Sequence, residues 1–133
     1  MIKKSDLPTP DQIRALLTFL PLFREGFQPV QEWVVAEPDQ NGVTHFPYPV
    51  YHPAVVDFFQ EAGQPHWSDY DYVPQEVSGQ IADLEFIQGA DLDDIKTLLT
   101  YCVRGERFCD GHWEMIIQND TIVRLLQRLE QLV

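Results

Sequence analysis

Apolar positions recur along this chain with helical spacing at both ends and with extended, ring-rich spacing between Phe27 and His52, so the two kinds of segment predict different elements. Thr9-Pro10-Asp11 offers an N-cap, a proline suited to the first helical position and an acid in the first turn. Ile13, Leu16, Leu17 and Leu20 then fall on one helical face. Pro21 lacks an N–H and crowds the carbonyl of Leu17, which predicts a kink or tightening near Leu20 before Leu22, Phe23 and a stop at Gly26. Between Val30 and Tyr51 the β-branched and aromatic runs Val30, Trp33 to Val35, Val43, His45, Phe46, Tyr48, Val50 and Tyr51 are divided by Pro38-Asp39-Gln40-Asn41-Gly42, a hairpin pattern. Pro47 and Pro49 withhold ladder donors, so the second strand should be short or at an edge.

Beyond the hairpin, Pro53 opens a helix carrying Val55, Val56, Phe58 and Phe59 up to Gly63. Residues 63 to 73 read as a loop of rings and acids, and Pro74 starts a helix through about Ala82, against which Ser78-Gly79 weighs. Asp91 caps the most regular segment, with Leu92, Ile95, Leu98, Leu99, Cys102 and Val103 on one face up to Gly105. A short helix over about Gly111 to Gln118 follows. Asn119-Asp120-Thr121 then caps a last helix built on Ile122, Leu125, Leu126, Leu129 and Leu132. The expected fold is α+β, mainly α: a single domain over residues 1–133 with about five helices, the two C-terminal ones packed on the Asp91 helix, and a small antiparallel hairpin.

Charge changes the picture more than composition does. Nine Lys and Arg stand against 21 Asp and Glu, a net charge of −12. Every basic residue lies in 1–24 or 96–133, so the stretch from Glu25 to Ile95 carries acids alone. Phosphates repel such a surface, which argues against direct nucleic-acid binding and against an anionic membrane, and leaves a basic protein partner or plain solubility. Apolar runs fall short of the roughly 18 residues that span a bilayer, and Asp6 and Pro8 interrupt any leader after Lys3-Lys4, so a cytoplasmic location with Cys102 and Cys109 as thiols is expected.

Candidate chemistry concentrates in residues 101–113, where Arg104, Arg107, Cys102, Cys109, His112 and two acids sit between two amphipathic helices. Leu98-Leu99-Thr100, Val103-Arg104 and Arg107-Phe108-Cys109-Asp110-Gly111-His112, followed by a Leu-rich final helix, resemble a bacterial family of small proteins known only as a domain of unknown function. Leu16-Leu17 with Phe19-Leu20-Pro21-Leu22-Phe23 is similar to that family's opening helix, which extends the resemblance over most of the chain. The resemblance implies no activity and assigns no site residues.

Four readings of the stretch stand side by side. Cys109-x-x-His112 has zinc-ligand spacing, yet a closed site needs four ligands and the last would have to come from His45, His52 or His66; no metal and no cofactor are expected. Cys109 ionised by His112 or the arginines would make a small enzyme, although an oxyanion motif is missing nearby. Arg104 and Arg107 could grip a carboxylate or phosphate against Trp113, Phe108 and His112. The bland reading is an internal brace in which the arginines pair with Asp71, Asp83 or Asp110, Gly111 supplies a special backbone angle and His112 bonds locally. The candidate ligand-binding set is therefore Arg104, Arg107, Cys109, His112 and Trp113, with no catalytic residue assigned. The favoured function is a non-catalytic interaction module whose acidic, aromatic middle meets a basic partner; whether it is an enzyme, and in what oligomeric state it works, stay open.

Overall fold

The computed structural model describes residues 7–35, 37–38, 40–42 and 47–133. Its first helix, α1 (Pro10–Leu17), starts on a capping box: the Gln12 N–H donates to Thr9 Oγ1 at 3.2 Å and the Thr9 N–H to Gln12 Oε1 at 2.8 Å. Of the two outcomes expected at Pro21, the chain takes the tightening: the helix ends at Leu17 and a 3-10 turn runs over Leu20–Leu22, which places the proline where no α-helical N–H is needed. The chain reverses at Gly26, whose φ of +86° lies in the left-handed region.

Strands β1 (Val30–Val34) and β2 (Tyr48–Tyr51) form a two-stranded antiparallel sheet in which Val30 faces Tyr51, Trp33 faces Pro49 and Val34 faces Tyr48, with a register shift between Val30 and Glu32. In a ribbon of two strands each has an outer edge, so Pro49 is tolerated without a ladder donor. The expected run through Val43, His45 and Phe46, and His45 as a remote ligand, lie outside the described residues.

Seven α-helices appear among the described residues where about five were expected, so the mainly-α α+β class stands while the helix count is corrected upward. Helix α2 (Pro53–Ala62) is capped by His52, whose Nδ1 accepts from the Ala54 N–H at 3.0 Å, and it buries Val55, Phe58, Phe59 and Ala62. A 3-10 turn at Pro65–Trp67 drives the Trp67 indole to complete burial. Helix α3 (Pro74–Ile81) contains Gly79 without penalty to packing, since nothing lies within 4 Å of where its Cβ would be. The helix that the periodicity missed is α4 (Leu84–Gln88), a five-residue piece set by Asp83, whose carboxylate accepts from the N–H groups of Glu85 and Phe86. One turn and a half is too short for a periodic signal, so the cap alone could have revealed it.

Helix α5 (Leu92–Gly105) is the centre of the core. A second capping box, Asp91 with Asp94, starts it, and Ile95, Leu98, Leu99 and Cys102 are fully buried. Helices α6 (His112–Gln118) and α7 (Thr121–Gln131) pack on it and on each other, and α7 also meets α1. Asp120 is the N-cap of α7, without a side-chain cap, and Asn119 just before it holds the first residue of the helix, its Oδ1 accepting from both the N–H and the hydroxyl of Thr121. Arg128 Nε donates to the Ala90 carbonyl at 2.8 Å, tying the last helix to the turn before α5. At the hairpin end, Phe19, Phe23, Phe27 and Phe58 form a ring cluster in mostly edge-to-face contacts. The loop over Trp67–Tyr72 is pinned to α5 by a buried polar knot: the Asp69 N–H donates to Thr100 Oγ1 at 2.8 Å, and Thr97 Oγ1 donates to Asp69 Oδ2 at 2.7 Å. Among the described residues no helix is long and apolar enough to cross a membrane.

Candidate functional site

The chemistry-rich stretch is a tight connection between α5 and α6. The N–H groups of Phe108 and Cys109 both turn back to the Gly105 carbonyl, and Gly111 takes a φ of +91°, a conformation that a side chain would strain. A Cβ at Gly111 would also lie 2.9 Å from the Trp33 ring of β1, so glycine here lets the hairpin sit directly on the turn.

Glu106 organises the connection. Its Oε2 accepts from the Gly111 N–H at 2.9 Å, while Oε1 accepts from the Trp113 N–H at 2.8 Å and the Tyr51 hydroxyl at 2.8 Å. Gly111 has no side chain with which to cap α6, so the carboxylate does this from a neighbouring turn and places a negative charge at the helix start. Burial, reinforced by this carboxylate, holds the Tyr51 phenol strongly in its neutral form. Glu106 is one of the two acids of the stretch, and no local pattern gives it this role; the available signal is a Glu five residues ahead of a helix that starts on glycine.

His112 and the two thiols occupy different environments. A Cβ at Gly105 would fall 2.3 Å from the His112 ring, so the imidazole lies flat on backbone that only glycine leaves open, edge-on to Tyr101. His112 is buried, its Nε2 has no hydrogen-bond partner, and desolvation lowers its pKa against a smaller opposing pull from Glu106. Cys102 is fully buried and its thiol is pushed up to about 12 by burial, whereas Cys109 is exposed, with only a long contact of 3.8 Å from Sγ to the Asp110 carbonyl. Among the described residues no hydrogen bond joins the Cys109 and His112 side chains, and no group of three or more His, Cys, Asp or Glu is placed to hold a metal ion.

Trp113 is fixed at three points. Its backbone N–H goes to Glu106, its indole Nε1 donates to the Cys102 carbonyl at 3.1 Å, and its ring stacks on Phe59 with centroids 4.2 Å apart and planes 9° from parallel. Together with Val56, Phe59 and Val103 it walls a groove of about 470 Å³ whose polar rim is Gln60, Glu106 and Arg107. Of the five residues singled out in the sequence, Arg107 and Trp113 meet here. Arg104 points elsewhere, its guanidinium 5.2 Å from the Tyr72 ring centre and 5.9 Å from that of Tyr70. Cys109 and His112 are absent from the lining. Among the described residues neither arginine has an ion pair; for Arg104 the Tyr70 and Tyr72 rings take the place that the brace reading gave to Asp71, Asp83 or Asp110, while Arg107 lies at the groove.

A second concavity lies between α3 and α5. It measures about 210 Å³, and Asp69, Asp71, Glu76 and Asp94 line it together with Tyr72 and Gln80.

Comparison with curated proteins and with solved structures finds no match. A family model does match, the Family of unknown function (DUF6508), over residues 8–133. The chain belongs to that family of unknown function.

Proposed function

We propose that this protein is a non-catalytic, cytoplasmic interaction module that offers its acidic, ring-bearing middle to a basic protein partner. The observation that carries this reading is the cleft between α3 and α5, where Asp71 and Glu76 are exposed at the edge of a hollow sized for a Lys or Arg head group. Tyr72 lines it, Tyr70 is half exposed between two of its acids in sequence, and the Arg104 guanidinium lies over both rings. Rigid rings next to fixed carboxylates give contact area and charge complementarity at low entropic cost.

The test uses decalysine and deca-arginine as probes, followed by fluorescence anisotropy at several salt concentrations. Two variants with the same net charge are compared, D71K/E76K at the cleft and D57K/E85K away from it. A loss on the order of tenfold confined to the cleft variant, with affinity falling steeply as salt rises, is the expected result. Equal losses in both variants would reduce the surface to general acidity and reject the proposed cleft.

A further inference from the structure

We propose that the groove between α2, α5 and α6 is a second, independent site, which binds a small amphiphilic carboxylate: an apolar body against Val56, Val103 and Trp113, and the carboxylate on Arg107. Three observations lead there. The volume, about 470 Å³, falls in the ordinary range of small-molecule sites, roughly 300–1,000 Å³. The main wall is already built, since the Trp113 indole is held by its hydrogen bond to the Cys102 carbonyl and by a parallel stack on Phe59, so little side-chain entropy is lost when a ligand settles against it.

The sign of the ligand comes from the rim. Its two charged groups are Glu106 and Arg107, and they differ in how far their bonding capacity is already used. Both Glu106 oxygens are engaged, by three donors from the hairpin, the turn and α6, so a cationic ligand would have to compete with bonds that hold the fold together. Arg107 is exposed and, among the described residues, has no ion pair, although the molecule around it is rich in acids. A guanidinium is planar and presents a fork of donors that a carboxylate matches with two parallel hydrogen bonds. Gln60 on α2 adds an amide at the same rim. An apolar groove whose rim holds a guanidinium without an ion pair among the described residues suits an anion that carries a hydrophobic body better than bare phosphate, which would leave the walls unfilled.

The experiment titrates the isotope-labelled full chain with 1-naphthaleneacetate and with its uncharged analogue 1-naphthaleneacetamide, following backbone and indole N–H resonances. The expected result is saturable shifts at Trp113 and Val103 in the millimolar range or below, with the acid bound on the order of tenfold more tightly than the amide. R107Q should abolish that preference while leaving amide binding unchanged, and R107K should keep part of it; Arg107 is exposed, so both variants should fold. V56D should weaken both probes. Lack of saturable shifts, equal binding of acid and amide, or an unchanged preference in R107Q would each overturn the proposal. So would tighter binding of a Leu-ended tetrapeptide than of the small acid, which would make the groove a peptide site. Groove resonances that move with protein concentration alone would likewise replace the ligand by a second copy of the chain.

Discussion

The Tyr51 hydroxyl donates to Glu106 Oε1 at 2.8 Å, so the end of β2 is bonded to the turn that follows α5, 55 residues further along the chain. The same carboxylate takes the Gly111 and Trp113 N–H groups, and losing it would release three donors at once. E106Q is the sharper variant, because its amide NH₂ must confront at least one N–H donor. We expect it to lower stability by about 1–3 kcal/mol in urea denaturation, and Y51F by about 1 kcal/mol. The double variant should lose less than the sum; strict additivity would show that the two groups do not interact.

Gly105 and His112 form a close pair of a different kind. A methyl group at position 105 would collide with the imidazole at 2.3 Å, so G105A should cost about 1–3 kcal/mol through overpacking. The steric account is checked by G105A/H112A, in which the added methyl enters space that the ring has left. Its thermal midpoint should lie above that expected from adding the two single losses, and a simple sum would point to backbone strain instead.

Burial lowers the His112 pKa, so in the folded chain this imidazole resists protonation where the unfolded chain accepts it. The unfolded state therefore binds more protons below about pH 6.5, and His112 makes stability fall as the pH drops through that range, with its full contribution retained above it. Denaturant midpoints measured between pH 8 and pH 5 should decline more steeply in the natural sequence than in H112Q. Parallel curves would refute the assignment.

The two thiols should separate cleanly under a disulfide labelling reagent near neutral pH. Cys109 is exposed and should label in the native protein, while Cys102, fully buried and with its thiol pushed up to about 12, should label only after denaturation. C109S should remove the native signal entirely. Rapid labelling of Cys102 would mean that α5 opens locally far more readily than its buried contacts imply.

Much of this fold can be read in the one-dimensional pattern, and particular residues show why. Thr9 and Asp91 announce their helices because capping is settled within three residues, and both capping boxes are present. The antiparallel pairing of Val30–Val34 with Tyr48–Tyr51 follows from the β-branched and aromatic residues there, and Pro49 gives away its edge character; the pairing stops at Val34–Tyr48, short of Asn41-Gly42. Helix α4 escapes because it is too short to show a period, and α1 ends at Leu17, before Leu20, because Pro21 is taken up by a 3-10 turn, the tightening that its position allows beside a kink. Within residues 101–113 the sequence points to Gly111's special backbone angle, but not to Glu106 as the group that ties the turn to the hairpin.

Local rules act over a few residues: a cap reaches three positions, a helical face repeats within seven, a proline affects its immediate neighbours. Most elements, their capping residues, the uneven distribution of charge and the buried face of α5 are accordingly legible from order along the chain. Which residues converge is a matter of long-range packing. Tyr51 reaches Glu106, Trp33 lies on Gly111 and Phe59 stacks on Trp113 only because α2, the hairpin and α6 close on one another around α5. The same closure sends Arg104 to the Tyr70 and Tyr72 rings and Arg107 to a groove, dividing a pair that looks equivalent in sequence. Side-chain direction on a turn is set by what packs against it, and those partners are separated from it by scores of residues.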